Sequence, residues 1–155
     1  MGVILSFTKV TSERLDRLVA ASPQAQEDLW RLERAKGDPD GYLDKAWDGL
    51  RYLLEAAGTG VNLCDDGPPL DADEEYYAWP ADLVGRTAER LRATPFAALA
   101  VHYDPAAMDE ANIYPRIWVR DGDAGLGYLQ FHYATLAAFF ADAAKSGSAA
   151  VMHFG

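Results

Sequence analysis

The clearest helix in this chain is encoded by residues 43–58, which read LDKAWDGLRYLLEAAG. Apolar residues recur at steps of three and four from Trp47 to Ala57, a spacing that predicts a helix with one face in a core. Asp44 is placed to cap the first turn of this helix. Gly58 stands where a residue in the left-handed conformation commonly ends a helix. These features predict an amphipathic helix bounded on both sides.

Strands are predicted at both ends of the chain and once between them. Residues 3–10 and 149–154 are short, largely apolar runs that include β-branched residues, as buried strands do. Residues 76–79 predict a further short strand. The two terminal strands are therefore expected to belong to one small sheet.

The remaining helices are predicted from their first residues. Ser22–Pro23 and Thr94–Pro95 each place a hydroxyl cap before a proline, whose missing N–H costs nothing in a first turn. Further helices are predicted to open near Ser12, at Pro80 and at about Gly127. The whole pattern predicts an α/β fold: a single compact domain whose small sheet is covered by about five to six helices.

Length and charge limit the function classes. A chain of 155 residues corresponds to one domain, so residues 1–155 are predicted to form a single unit. The chain has 24 acidic and 14 basic residues and a net charge of -10. Nucleic acids and anionic membranes are bound through basic patches, so neither is expected as a partner. The N-terminal run has no basic segment and is too short for a signal peptide, so a cytoplasmic location is expected.

The segment 58–75 is predicted to be a mobile acidic loop. It is rich in glycine and proline, and six acidic residues lie between positions 65 and 75 with no basic residue among them. Long loops in small domains are usually mobile or functional. The negative charge of the six acidic residues favours a basic protein partner, and neighbouring aromatic rings would add apolar contacts. The candidate partner-binding residues are Asp65, Asp66, Asp71, Asp73, Glu74, Glu75, Tyr76, Tyr77 and Trp79.

The leading function hypothesis is therefore a non-enzymatic protein-binding domain, of which an inhibitor or immunity protein is one concrete form. The alternative is a small-molecule binder or enzyme with a pocket between the Asp44–Arg51 helix and the Tyr114–Trp118 segment. Its candidate ligand-binding residues are Asp44, Lys45, Trp47, Arg51, Tyr114 and Trp118. The competing interpretation is purely structural, with a capped helix, a core tryptophan and aromatic rings that seal a crossing segment. An oligomerisation module is a third interpretation, and the sequence leaves the oligomeric state open.

Signatures of catalysis, metals and cofactors are missing from the sequence. His102, His132 and His153 are isolated, so no zinc-site spacing is present. The acidic run 71–75 lacks the glycine and the final glutamate that an EF-hand loop requires at fixed positions. Cys64 precedes two aspartates, which disfavour a reactive thiolate. The sequence thus predicts no metal and no cofactor, and it identifies no catalytic residue.

Several segments together resemble the YfbM-like family of bacterial proteins, which is defined by a domain of unknown function. The resemblance rests on Met1–Gly2, Leu43–Leu50, Trp79–Pro80, Ile113–Trp118 and the closing pattern Tyr128–Ala144. The Asp-Lys-x-Trp and Ile-Tyr-Pro pieces are its most specific parts. The resemblance covers nearly the whole chain and implies a compact α/β domain with helices packed on a small sheet. It implies no activity, because none common to the family is established.

Overall fold

The computed structural model describes residues 2–20, 29 and 31–155. The described residues contain three strands, β1 (Leu5–Val10), β2 (Tyr76–Trp79) and β3 (Ala149–Phe154). They also contain seven helices: α1 (Ser12–Ala20), α2 (Trp47–Ala56), α3 (Ala81–Arg92), α4 (Phe96–Ala100), α5 (Pro105–Glu110), α6 (Trp118–Asp121) and α7 (Asp123–Lys145). Most of the predicted helix that opens at Ser22–Pro23, namely residues 21–28 and 30, lies outside the described residues.

The sheet has the order β1-β3-β2, and both strand pairs are antiparallel. The N-terminal strand pairs with the C-terminal strand along its whole length, from Leu5 opposite Phe154 to Val10 opposite Ala149. The short strand β2 pairs with the other side of β3. The prediction that the two terminal strands share one small sheet is confirmed.

Both outer edges of the sheet are covered by irregular segments. At the β1 edge, the Phe7 N–H donates to the Gly41 carbonyl at 2.8 Å, and the Leu43 N–H donates to the Leu5 carbonyl at 2.9 Å. At the β2 edge, the Ala78 N–H donates to the Pro68 carbonyl at 2.7 Å. These bonds satisfy backbone groups that would otherwise be free to pair with another chain. They also place residues 41–44 and the acidic segment at opposite edges of the sheet.

Alternation along the strands divides the core into two parts. On β3, Ala150 and Met152 face the larger core, whereas Val151 faces the smaller one, as the period of two requires. The larger core lies between one sheet face and helices that include α2, α3 and α7. Leu15 and Leu18 of α1 cover the opposite face. The chain is the single compact α/β domain that the sequence predicts.

The boundaries of α2 agree with the sequence at one end only. Gly58 has a φ of 69°, its N–H donates to the Glu55 carbonyl at 3.0 Å, and the Thr59 N–H donates to the Leu54 carbonyl at 3.2 Å, which together form a Schellman motif. The predicted cap at Asp44 is wrong. The helix starts at Trp47 after Ala46, without a side-chain cap, because the Asp44 carboxylate is bound elsewhere.

Two other helices differ in length from the prediction. The longest helix, α7, begins at Asp123 instead of about Gly127, because Gly122 with a φ of 51° ends α6 and leads directly into it. The helix after Thr94–Pro95 stops at Ala100, whereas its apolar pattern predicts a helix that continues to Tyr103. Propensity and spacing locate such elements well, but their ends depend on tertiary contacts.

Candidate functional site

The carboxylate of Asp44 is the centre of a small polar cluster. Asp44 follows the segment paired with β1 and has a φ of 50°, a left-handed conformation that aspartate tolerates better than most residues. Tyr128 on α7 donates its hydroxyl to Asp44 Oδ2 at 2.6 Å, and Tyr42 donates its hydroxyl to Asp44 Oδ1 at 3.2 Å. The hydrogen bond from Tyr128 is the main reason that the pKa of Asp44 is lowered. Asp44 is therefore ionised near neutral pH.

His132, one turn beyond Tyr128 on α7, completes this group. The two ring centroids are 4.8 Å apart. His132 is only 7% exposed, and its Nδ1 is buried without a hydrogen-bond partner. Burial lowers the pKa of His132, against the opposing effects of the Tyr42 carbonyl and of Asp44. We refer to Tyr42, Asp44, Tyr128 and His132 as the Asp44 cluster.

Burial of His132 makes the stability of the domain sensitive to mild acid. The unfolded chain binds a proton at the ordinary pKa of 6.5, whereas the folded chain binds it only at lower pH. The free energy of unfolding is therefore expected to fall as the pH drops below about 6.5 and to level off below the folded pKa. Urea unfolding between pH 7.5 and 5.5 measures this loss, which should shrink in a His132→Leu variant. A His102→Gln variant should lose as much stability between these pH values as the wild type. If the His132→Leu variant also lost as much as the wild type, His132 would not be the source of the acid sensitivity.

The start of α2 is tied to the segment before α6 by a buried carboxylate. Asp48 is 7% exposed and accepts the Tyr114 N–H at 2.7 Å and the Arg51 Nε–H at 2.6 Å. Arg51 also contacts Glu55 at 3.5 Å. The Asp44–Arg51 and Tyr114–Trp118 stretches, between which the alternative hypothesis places a pocket, thus meet through this buried carboxylate. The residue that joins the two stretches is Asp48, which is not among the candidate ligand-binding residues.

The aromatic rings of these two stretches mainly join parts of the chain. The Trp47 indole N–H donates to the Val3 carbonyl at 2.9 Å, and its ring stacks on Tyr114 with centroids 5.5 Å apart. The Tyr114 hydroxyl accepts the Val3 N–H at 2.8 Å. Trp118 is fully buried, and its N–H donates to the Ile113 carbonyl at 2.9 Å. Trp118 therefore cannot be a surface ligand contact, which corrects its place among the candidate ligand-binding residues.

Lys45 contacts the Asp44 cluster through its backbone. Its N–H donates to the Tyr128 hydroxyl at 3.1 Å. Its side chain lies against Gly2 near the start of the chain. Of the candidate ligand-binding residues, Asp44 and Lys45 thus meet Tyr128, whereas Arg51 meets Asp48 at a different place.

The acidic segment has a defined local structure. Asp71 Oδ1 accepts the Glu75 N–H at 3.1 Å and the Tyr76 N–H at 2.9 Å. Asp66 Oδ2 accepts the Asn62 N–H at 2.9 Å. These two carboxylates shape the chain, and both are partly buried. The other four acidic side chains are exposed: Asp65, Asp73, Glu74 and Glu75.

The aromatic residues beside this segment require a correction. Trp79 is fully buried in the larger core, and Tyr76 is only 9% exposed and packs in the smaller one. Neither ring is available as a main surface anchor, because alternation along β2 directs the two rings into opposite cores. Tyr77 is partly exposed and is the remaining aromatic candidate.

The single cysteine is poorly suited to nucleophilic chemistry. Burial is the main cause that raises the pKa of Cys64 to about 11, and the charge of Asp65 adds to this effect, whereas Arg51 opposes it. The thiol therefore stays protonated near neutral pH. Among the described residues, no group of three or more His, Cys, Asp and Glu side chains is arranged to hold a metal ion.

An open groove of about 590 Å³ lies between α3 and the end of α7. Small residues such as Gly85, Ala88 and Ala144 line it, and charged side chains such as Arg86 and Lys145 stand beside them. None of the candidate site residues lies in this groove. Among the helices of the described residues, none combines the length and the apolar character that crossing a bilayer requires.

Comparisons with known proteins agree on the family and the fold. The chain matches the family described as "Domain of unknown function (DUF1877)" over residues 1–153. No curated protein matches the chain. Its structure is similar to the crystal structure of YfbM from Escherichia coli, a protein of unknown function, with a TM-score of 0.70 and 16% sequence identity over 98% of this chain and 99% of that chain. The resemblance to the YfbM-like family is thus confirmed, and the chain belongs to the DUF1877 family.

Proposed function

We propose that this domain is a non-enzymatic binding protein that recognises a basic protein partner through its acidic segment. The surface concerned consists of Asp65, Asp73, Glu74 and Glu75, with Tyr77 beside them. An inhibitor or immunity protein that neutralises a basic partner is one form that this function can take. The supporting observation is the exposure of these four carboxylates, of which Asp65 also accepts a hydrogen bond from the Asn62 side-chain amide at 3.1 Å.

The ion pairs of the domain support this interpretation. The salt bridges of Lys9, Arg34, Arg51, Arg86 and Arg120 all go to other carboxylates. None of these five side chains pairs with a carboxylate of the acidic segment. Between Arg51 and Arg86 the sequence contains eight acidic residues and no lysine, arginine or histidine. Such a local excess of one sign attracts an oppositely charged protein and speeds its association.

The backbone of the segment supports recognition by holding these charges in place. The Leu70 N–H donates to the Tyr76 carbonyl at 2.7 Å, and Pro68 pairs with Ala78 at the same edge of the sheet. Asp71 closes the turn between these residues through its two backbone hydrogen bonds. A surface presented on such a scaffold loses less conformational freedom when it binds.

The small-molecule alternative has less support from the geometry. Its two stretches meet, but they meet through the stacked rings of Trp47 and Tyr114 and through the buried Asp48. Trp118, its second indole, is fully buried. These contacts account for the residues as parts of the packing.

Charge reversal tests the proposal. In a variant with Asp65, Asp73, Glu74 and Glu75 changed to lysine, we expect the association rate with the natural partner to fall at least about tenfold at low salt, because steering is lost. The partner is first captured from an extract of the source cells and identified by mass spectrometry, and its binding to the purified domain is then measured at several salt concentrations. Higher salt should reduce the difference between wild type and variant.

A matched control separates the acidic segment from net charge. The exposed residues Glu13, Glu89, Glu110 and Asp123 lie elsewhere on the domain, and changing all four to lysine alters the net charge by the same amount. This control should retain most of the association rate. Equal association rates of wild type and the acidic-segment variant would refute the proposal, and an equal loss in both variants would assign the effect to net charge alone.

A further inference from the structure

The two strongly exposed aromatic side chains of the described residues lie at the Asp44 cluster. Phe131 is 67% exposed and Tyr42 is 44% exposed. The other large apolar side chains with comparable exposure are Val19, Val101 and Val119. Phe131 is joined to the cluster through His132, whose ring is 5.1 Å away, and Tyr42 is joined through its hydroxyl bond to Asp44. Exposed rings beside a carboxylate are the composition that binds organic cations.

The side chains that donate hydrogen bonds to the Asp44 carboxylate are uncharged. Both hydroxyl groups that bind its carboxylate belong to tyrosines, at 2.6 Å from Tyr128 and 3.2 Å from Tyr42. The nearby imidazole of His132 stays neutral, since burial lowers its pKa. Asp44 itself is partly exposed. A negative charge therefore remains at the surface among aromatic rings, while the unpartnered Nδ1 of His132 leaves an unused acceptor beneath it.

We propose that Tyr42, Asp44, Tyr128 and Phe131 form a recognition site for an arginine side chain of a protein partner. Each oxygen of Asp44 receives one tyrosine hydroxyl, so each retains a lone pair for one N–H of a bidentate guanidinium. The planar guanidinium also stacks on exposed aromatic faces, which an ammonium group does less well. The site lies at the β1 edge, opposite the acidic segment, so it does not depend on the function proposed for that segment.

A small monovalent probe tests this site directly. We titrate ¹⁵N-labelled protein with N-acetyl-L-arginine methylamide and follow the backbone amide signals by NMR. Saturable shifts are expected at residues 42–45 and 128–132. The uncharged isostere N-acetylcitrulline methylamide and the corresponding lysine compound should each bind at least about fivefold more weakly, because neither makes the charged bidentate pair.

Variants decide whether the named side chains are responsible. Asp44→Asn should weaken binding of the arginine probe about tenfold, the size of one charge-assisted hydrogen bond. Phe131→Ser should also weaken binding, and because Phe131 is exposed, this variant is expected to fold even if Asp44→Asn does not. Val119→Ser removes an apolar side chain of comparable exposure elsewhere and should leave binding unchanged.

Four results would overturn the assignment. The first is equal binding of the arginine and citrulline probes, and the second is full affinity in the Phe131→Ser variant. The third is a set of shifts confined to residues 65–77, which would place arginine binding in the acidic segment instead. Equal binding of the lysine probe would reject arginine as the preferred side chain.

Discussion

Replacement of Trp118 by alanine is expected to lower the free energy of unfolding by about 3–5 kcal/mol, the range for aromatic residues removed from a core. The side chain is fully buried, and its ring fits closely over a glycine of α2: a Cβ built on Gly49 would lie 2.8 Å from the Trp118 ring. Tyr103 packs edge-on against the same ring with centroids 6.3 Å apart. Alanine would leave a cavity among groups that cannot easily close it.

The loss includes a hydrogen bond as well as packing. The Trp118 indole N–H donates to the Ile113 carbonyl, and both groups are buried. Trp118→Phe keeps most of the apolar contact but removes the indole N–H, while the Ile113 carbonyl still accepts the Arg116 N–H at 2.8 Å, so an intermediate loss of about 1–3 kcal/mol is expected. Urea unfolding followed by circular dichroism measures all of these values.

A neighbouring substitution provides the control. Val119 is 60% exposed, so Val119→Ala should change the stability by no more than about 0.5 kcal/mol. A loss below about 1 kcal/mol for Trp118→Ala would show that the ring does not carry the packing assigned to it. Domains of this kind are stable by about 5–15 kcal/mol, so the expected loss can be a large part of the total stability. A Trp118→Ala variant that does not fold would therefore agree with the expected loss.

Asp48→Ala is expected to have the second-largest effect, a loss of about 2–4 kcal/mol. Its carboxylate accepts the Tyr114 N–H at 2.7 Å and the Arg51 Nε–H at 2.6 Å. Alanine leaves the Tyr114 N–H without an acceptor and Arg51 without its close partner. The Arg51 side chain is 27% exposed, so water partly compensates its charge, and the loss should lie below that of a fully buried pair.

Two further variants separate the contributions of Asp48. Asp48→Asn retains an oxygen that can accept the Tyr114 N–H, so it should be less destabilising than alanine. Glu55→Gln removes the other carboxylate near Arg51, which is 3.5 Å away and 76% exposed, and should have almost no effect. Denaturant midpoints of the three variants provide the comparison. Equal losses for Asp48→Ala and Glu55→Gln would mean that Asp48 does not link α2 to Tyr114.

The candidate sites were predictable to different degrees. The exposed charges of the acidic segment follow from composition alone, because a run of six carboxylates cannot be buried without partners. The alternative hypothesis placed a pocket between the Asp44–Arg51 and Tyr114–Trp118 stretches, and the structure shows that the two stretches meet. The exposure of each aromatic residue was not predicted. On β2, Tyr77 and Trp79 lie on the same face, yet Tyr77 is partly exposed while Trp79 is fully buried, because the two positions are covered to different extents by the rest of the fold.

Asp44 is the clearest case in which local pattern was insufficient. An aspartate shortly before an apolar helical stripe predicts a helix cap, yet its carboxylate binds Tyr128, which is 84 positions away in sequence. Tyr128 and His132 carried no local signal, because an aromatic residue and a histidine on a helix are typical of core positions.

The sequence by itself determined the α/β fold, the pairing of terminal strands in one sheet, the main helices and the acidic segment, since these depend on short-range periodicity, turn residues and charge. Only the tertiary structure decided which side chains meet: Asp44 with Tyr128, Asp48 with Tyr114, and Trp118 with Gly49. The physical reason is that local patterns report whether a position is buried or exposed. Which residue a side chain contacts depends on how distant elements pack against one another. That packing is determined jointly by residues far apart in the chain.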